Sequence, residues 1–179
     1  FLTVDDPDAA AAERRYGLPT AHRAVLVDEQ DLHFLAPISS LVIGVCGPMD
    51  ALLGAYRRGA AVPYEAYGAD VRDGVAALNR PMFANQLAGW LAAIPDVDAR
   101  LRAMPPARVA DVACGSAWSS IAIARAYPAV TVDAIDVNAA SIETARGNVA
   151  TAGLDDRVHD TDADAAAAHR HVADAHATR

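Results

Sequence analysis

At 179 residues the chain is long enough for one full domain, or one and a half small ones, with enough apolar material to bury a real core. Hydrophobic residues make up 53% and charged residues 21%, which excludes global disorder. A formal net charge of −8 repels phosphate backbones, and the basic residues are scattered apart from Arg14-Arg15 and Arg57-Arg58, so nucleic acid is an unexpected partner.

Residues 1–33 read as a hairpin followed by a helical turn. Phe1 to Val4 is β-prone, Asp5 to Arg14 is a polar excursion, and Arg15-Tyr16-Gly17-Leu18 returns as a second strand. Pro19 and Thr20 then open a short helix through Leu26. A ragged hairpin of this kind matches the wing of a winged helix, and equally any small hairpin.

Residues 34–104 read as mostly helical. The apolar stretch Phe34–Cys46 is broken by Pro37, Ser39, Ser40 and Gly44, so it falls short of the roughly 20 apolar residues a bilayer span takes. Gly47-Pro48 opens a helix through Met49 and Tyr56 that ends at Arg58-Gly59. Val71, Val75 and Leu78 share one helical face, and Pro81 is expected to start a separate helix carrying Phe83, Leu87, Trp90 and Leu91. Phe83 and Trp90 are expected in the core. Pro95 opens a last short helix, ended by Pro105-Pro106. Helical hairpins like these build dimer interfaces or cap a neighbouring domain.

From residue 105 to 179 the period changes. Arg108–Ala113 reads as a buried strand, Cys114-Gly115-Ser116-Ala117 as a loop of small residues, and Trp118 to Tyr127 as a helix. Val130–Ile135 is a second strand closed by Asp136; Asn138 caps a long helix that stops at Gly153. The strand–helix–strand–helix order predicts an α/β, Rossmann-like parallel sheet. Val158 could begin a third strand, but an Asp/Ala run follows and the sheet looks unfinished. The first residue is Phe rather than Met, which suggests a fragment.

The chemistry sits in the loop and the acid. Gly115 permits unusual dihedrals and close approach of a ligand to the main chain. Asp136 follows it by roughly 20 positions, the spacing that sets a carboxylate beside a ribose. Asp136 could also simply cap the next helix, and Asp111 could bridge backbone rather than meet an ammonium group. The single glycine and Trp118 leave little room for a pyrophosphate, which favours S-adenosylmethionine (SAM) over NAD; an NAD-binding protein stays as the alternative. Cys46 and Cys114 lack metal-ligand spacing and read as packed, reduced thiols of a cytoplasmic protein. His169, His171 and His176, with Asp164 and Asp174, match no closed metal site and read as a solvated tail.

The stretch Val109-Ala110-Asp111-Val112-Ala113-Cys114-Gly115-Ser116-Ala117-Trp118 resembles motif I of class I SAM-dependent methyltransferases, and Asp133–Asn138 resembles the next motif. Upstream, Tyr67–Arg72 and Asn79-Arg80-Pro81 resemble a bacterial subgroup with a winged-helix dimerisation domain ahead of the catalytic one. The resemblance implies SAM held by Asp111, Ala113, Gly115, Ser116, Asp136 and Val137, with Tyr67, Arg72 and Asn79 as a lid, a small-molecule acceptor and a homodimer. Family members carry alternating glycines where Ala113 and Ala117 stand here. Where φ is positive, an alanine there costs stability. The family's adenine-contacting Asp finds only a poor match in Asp162 or Asp164. The residue that would act as general base falls beyond the strands readable here. A winged-helix regulator and an inactive dimerising fragment are the rival classes.

Overall fold

The computed structural model describes residues 2–162. Strands β1 (Thr3–Val4) and β2 (Tyr16–Gly17) pair antiparallel, with Thr3 opposite Gly17. A 3₁₀ turn over Thr20–His22 leads into α1 (Arg23–Leu26). Next come α2 (Ile38–Cys46) and α3 (Met49–Arg58), which ends on Gly59 at φ 65°. Among the described residues no single helix is long and apolar enough to cross a membrane.

The central element is α4 (Gly68–Ala92), 25 residues with Pro81 inside it. The expected break at Pro81 does not occur. A proline in mid-helix removes one N–H and crowds the carbonyl four residues back, at about 3 kcal/mol. Here one continuous helix buries Val71, Gly74 and Pro81, and reaches α2 at one end and the core at the other, where Leu87 and Leu91 pack. That burial outweighs the local penalty. The crossing with α2 is close: a Cβ at Gly44 would stand 2.7 Å from the Val71 nitrogen, so only glycine fits.

After α5 (Pro95–Arg102) the chain enters a parallel sheet of order β3-β4-β5: β3 (Arg108–Val112), β4 (Thr131–Asp136) and β5 (Val158–Asp162). The third strand therefore forms, although its sequence is poor in apolar residues beyond Val158. Its register pairs Val132 with Val158 and Asp136 with Asp162. Strand β4 is central and buried; among the described residues β3 pairs on one side only, and it alternates between exposed and half-buried, with Val112 54% exposed. That edge position is why the expected buried strand at Arg108–Ala113 is only half covered. Arg108 makes a two-bond ion pair with Asp133, which is 5% exposed, and so satisfies a carboxylate on the central strand.

Helices α6 (Trp118–Ala126) and α7 (Ala139–Ala152) supply the other layer. Ile121, Ala124, Ile142, Ala145 and Val149 pack onto Val132 and Ala134 of β4, with Leu101 of α5 closing the core. The Tyr127 hydroxyl donates to Asp98 at 2.8 Å, and the Arg102 guanidinium lies 5.0 Å from the Tyr127 ring centre, fixing α5 to the end of α6. Phe83 is half-buried and Trp90 is 44% exposed, so neither is the core residue its sequence context suggests.

Candidate functional site

The loop between β3 and α6 has an unusual backbone. Ala113 (φ 63°), Gly115 (φ 55°) and Ala117 (φ 61°) are all left-handed, in alternation. Two alanines thus hold the conformation that glycine holds without strain. Four bonds keep the loop in this shape. Cys114 N–H donates to the Ile135 carbonyl at 3.1 Å, and Gly115 N–H to Asp136 Oδ2 at 2.8 Å. Ala117 N–H donates to the Cys114 carbonyl at 3.0 Å, and Asn148 Nδ2 on α7 to the Ser116 carbonyl at 2.9 Å.

Asp136 stands where β4 ends, with its carboxylate turned to the loop. Oδ2 accepts from Gly115 and Oδ1 accepts from the Asn138 N–H at 2.8 Å. Each oxygen of a carboxylate has two lone pairs, so one acceptor position remains on each. The cap of α7 is Asn138, whose Oδ1 accepts from the Ser141 N–H at 2.9 Å. Asp111 acts on the next helix instead: its Oδ2 accepts from the hydroxyls of Ser119 and Ser120, both at 2.6 Å. A carboxylate therefore already sits at the α6 N-terminus, where the helix dipole favours an anion.

A cleft of about 380 Å³ opens beyond the carboxyl ends of β3 and β4, the usual position of a ligand in an open α/β sheet. Of the residues singled out in the sequence, Ala113, Gly115, Ser116, Asp136, Val137, Arg72 and Asn79 line it; Asp111 and Tyr67 do not. The 3₁₀ turn Tyr64–Tyr67 puts Tyr64 in the cleft, and α4 contributes Val75 and Phe83. Burial, reinforced by Asp136, pushes the Tyr64 hydroxyl above its ordinary range, while Arg72 opposes the rise. Nothing in the spacing around Tyr64 marked it. Trp118 and Phe83 also line the cleft; the first was visible only as bulk beside the loop, and the second read as core.

Two carboxylates act on the thiol beside the loop. Burial, and then the nearby Asp111 and Asp136 carboxylates, push the Cys114 thiol up to about 12. Two features fit a ligand against this loop. A Cβ at Gly115 would meet nothing within 4 Å, so the space beside it is open. The Ser116 hydroxyl is buried and has no hydrogen-bond partner among the described residues. Asp162 ends β5 opposite Asp136, while Asp164, Asp174 and the three tail histidines lie outside the described residues.

Fold and loop together have a Rossmann-like architecture. Residues 98–174 match the family model of the methyltransferase small domain, so the resemblance read from the two motifs holds. Three solved structures share the fold. PigF in complex with SAH has TM-score 0.57 and 19% identity, over 90% of this chain and 48% of that one. Mitomycin 7-O-methyltransferase MmcR has TM-score 0.56 and 17% identity, over 90% and 47%. An O-methyltransferase family protein from Burkholderia thailandensis has TM-score 0.55 and 15% identity, over 90% and 46%. The chain thus spans less than half the length of these structures. No curated protein sequence matches it significantly.

Proposed function

We propose that the protein takes part in SAM-dependent methyl transfer to a small-molecule acceptor, with the cleft at Gly115 and Asp136 as the SAM site. One observation carries the reading: the Asp136 carboxylate faces the bare main chain of Gly115 at 2.8 Å and keeps acceptor capacity for two ribose hydroxyls. The charge distribution favours SAM over NAD. SAM is cationic at its sulfonium and ammonium groups, whereas a pyrophosphate would meet the Asp136 carboxylate in the cleft and find the α6 N-terminus already occupied by Asp111 behind it. The open side of Gly115 and the unpartnered Ser116 hydroxyl suit the amino-acid portion, and Arg72 supplies a cation for its carboxylate.

SAM supplies a methyl group already activated on sulfur. The work left to the residues is to bind, orient and exclude water. Asp136 fixes the sugar. The left-handed loop brings backbone against the methionyl end. Tyr64, Phe83 and Trp118 wall the cleft with aromatic surface. The reading extends to a cytoplasmic homodimer. The hairpin β1–β2 corresponds to the wing of a winged-helix dimerisation domain, and apolar side chains along α2 and α3 stand exposed, among them Ile43 and Tyr56.

Calorimetric titration with S-adenosylhomocysteine (SAH) tests the reading, with NAD as the comparison. SAH is expected to bind and NAD is not. Asp136→Asn turns an amide NH2 toward one of the two backbone N–H donors, so it should weaken SAH at least tenfold, at roughly 1.4 kcal/mol per decade. NAD binding in place of SAH overturns the assignment.

A further inference from the structure

Helices α4, α6 and α7 enclose a second cleft of about 360 Å³ on their outer side, within the volume range of small-molecule pockets. It shares only the side chains of Phe83 and Trp118 with the cleft at Gly115. Its floor is apolar, made by Ile121 and by alanines of all three helices, including Ala88, Ala122 and Ala152. Asn148, Thr151 and Gln30 contribute polar edges. Among the described residues the charged ones lining it are Arg80 and Arg125, and no carboxylate does so, in a protein whose net charge is −8.

The two arginines differ. Arg80 is held in place: its Nη1 donates to Glu29 Oε2 at 2.7 Å, and its guanidinium carbon lies 4.4 Å from the centre of the Trp118 ring. Its charge is offset by Glu29, and it props the aromatic wall. Arg125 is exposed and makes no ion pair among the described residues. It lies seven residues along α6 from Trp118, or about 10 Å at 1.5 Å per residue. Trp118 and Arg125 therefore leave α6 on one face, about 10 Å apart along its axis, and set an aromatic surface and a guanidinium with no ion-pair partner among the described residues over an apolar floor. Guanidinium pairs with carboxylate through paired hydrogen bonds, and flat rings pack on flat rings.

We propose that this cleft binds a small aromatic carboxylate, its ring or rings against Phe83 and Trp118 and its carboxylate on Arg125. The site is separate from the loop at Gly115 and does not depend on the methyl-transfer reading. The test uses the full chain carrying Trp90→Phe, which leaves Trp118 as the reporting indole, titrated with 1-naphthoate. Trp118 fluorescence should change saturably. Arg125→Gln should weaken that binding about tenfold, the size of one lost charged hydrogen bond, and neutral 1-naphthamide should bind as weakly to the parent. Arg125 is exposed, so its replacement leaves folding intact, which the thermal midpoint of the variant checks. Absence of a saturable change, or equal affinity for the amide or for Arg125→Gln, overturns the proposal.

Discussion

Ala113 and Ala117 share a left-handed backbone but not an environment, and the difference decides what glycine does at each. The Ala113 methyl is exposed, so Ala113→Gly relieves strain and loses no packing. Against that stands the extra freedom of an unfolded glycine, about 0.4–1 kcal/mol. A left-handed alanine costs about 1–2 kcal/mol. The variant should therefore gain about 0.5–1 kcal/mol, or roughly 1–4 °C in thermal midpoint. Ala117 is fully buried, and removing its methyl forfeits about 0.8 kcal/mol of burial. Ala117→Gly should come out close to neutral. Equal stabilisation by both would show that strain alone governs the loop. At the neighbouring position, the raised thiol of Cys114 has a pH signature. Its folded value of about 12 exceeds the ordinary 9.0, so the folded state holds the proton more tightly. The contribution to stability is complete below pH 9 and is lost as pH rises toward 12. Urea midpoints measured across that window should fall, and Cys114→Ala should remove this part of the slope. At pH 8 iodoacetamide should modify exposed Cys46 and spare Cys114 in the native protein.

Helix α7 depends on one side chain at its start. Asn138 Oδ1 takes the Ser141 N–H and also the Ser141 hydroxyl, at 3.2 Å, and Ser141 is 2% exposed. Asn138→Ala loses the cap and strands a buried donor, at about 1–2 kcal/mol, so thermal denaturation should shift down by roughly 2–8 °C. The Asn138 N–H that meets Asp136 belongs to the backbone and survives, so SAH affinity below the melting range should stay within about twofold, a 0.4 kcal/mol difference. This helix was readable because its signals are local: an Asn at the cap and a left-handed Gly153 at the end. Gly115 and Asp136 were readable for the same reason, lying on a strand–loop–helix–strand unit whose spacing carries the geometry. The continuity of α4 was not, since the local rule at Pro81 says stop, and only packing against α2 and the core overrides it. Tyr64 is not legible in the sequence, because a 3₁₀ turn brings it into the cleft and no periodicity encodes that placement. Strand β5 is only partly legible, because a strand beside buried β4 forms through backbone pairing despite polar residues.

At the scale of the molecule, the feature demanding explanation is the apolar surface of α2 and α3. Tyr56 is 86% exposed and Ile43 65%, with Val42, Leu53 and Met49 also open, whereas soluble monomers rarely expose large contiguous apolar patches. Helix α2 is held on α4 at a crossing so close that Gly44 admits no Cβ, so this face is presented by a rigid support. A second copy of the chain burying its own α2 and α3 there would remove both patches at once, as a two-fold interface does. Sedimentation should then show a concentration-dependent dimer. A double variant, Ile43→Glu with Leu53→Glu, sets charges into that interface, where an unpaired buried charge costs several kcal/mol, and should sediment as a monomer. Both positions face solvent within one chain, so helical content should be unchanged. SAH affinity should persist in the monomer, because none of the described residues lining the Gly115 cleft lies on α2 or α3. A wild-type monomer at all concentrations would remove the dimer from the proposal and leave the apolar face to another partner.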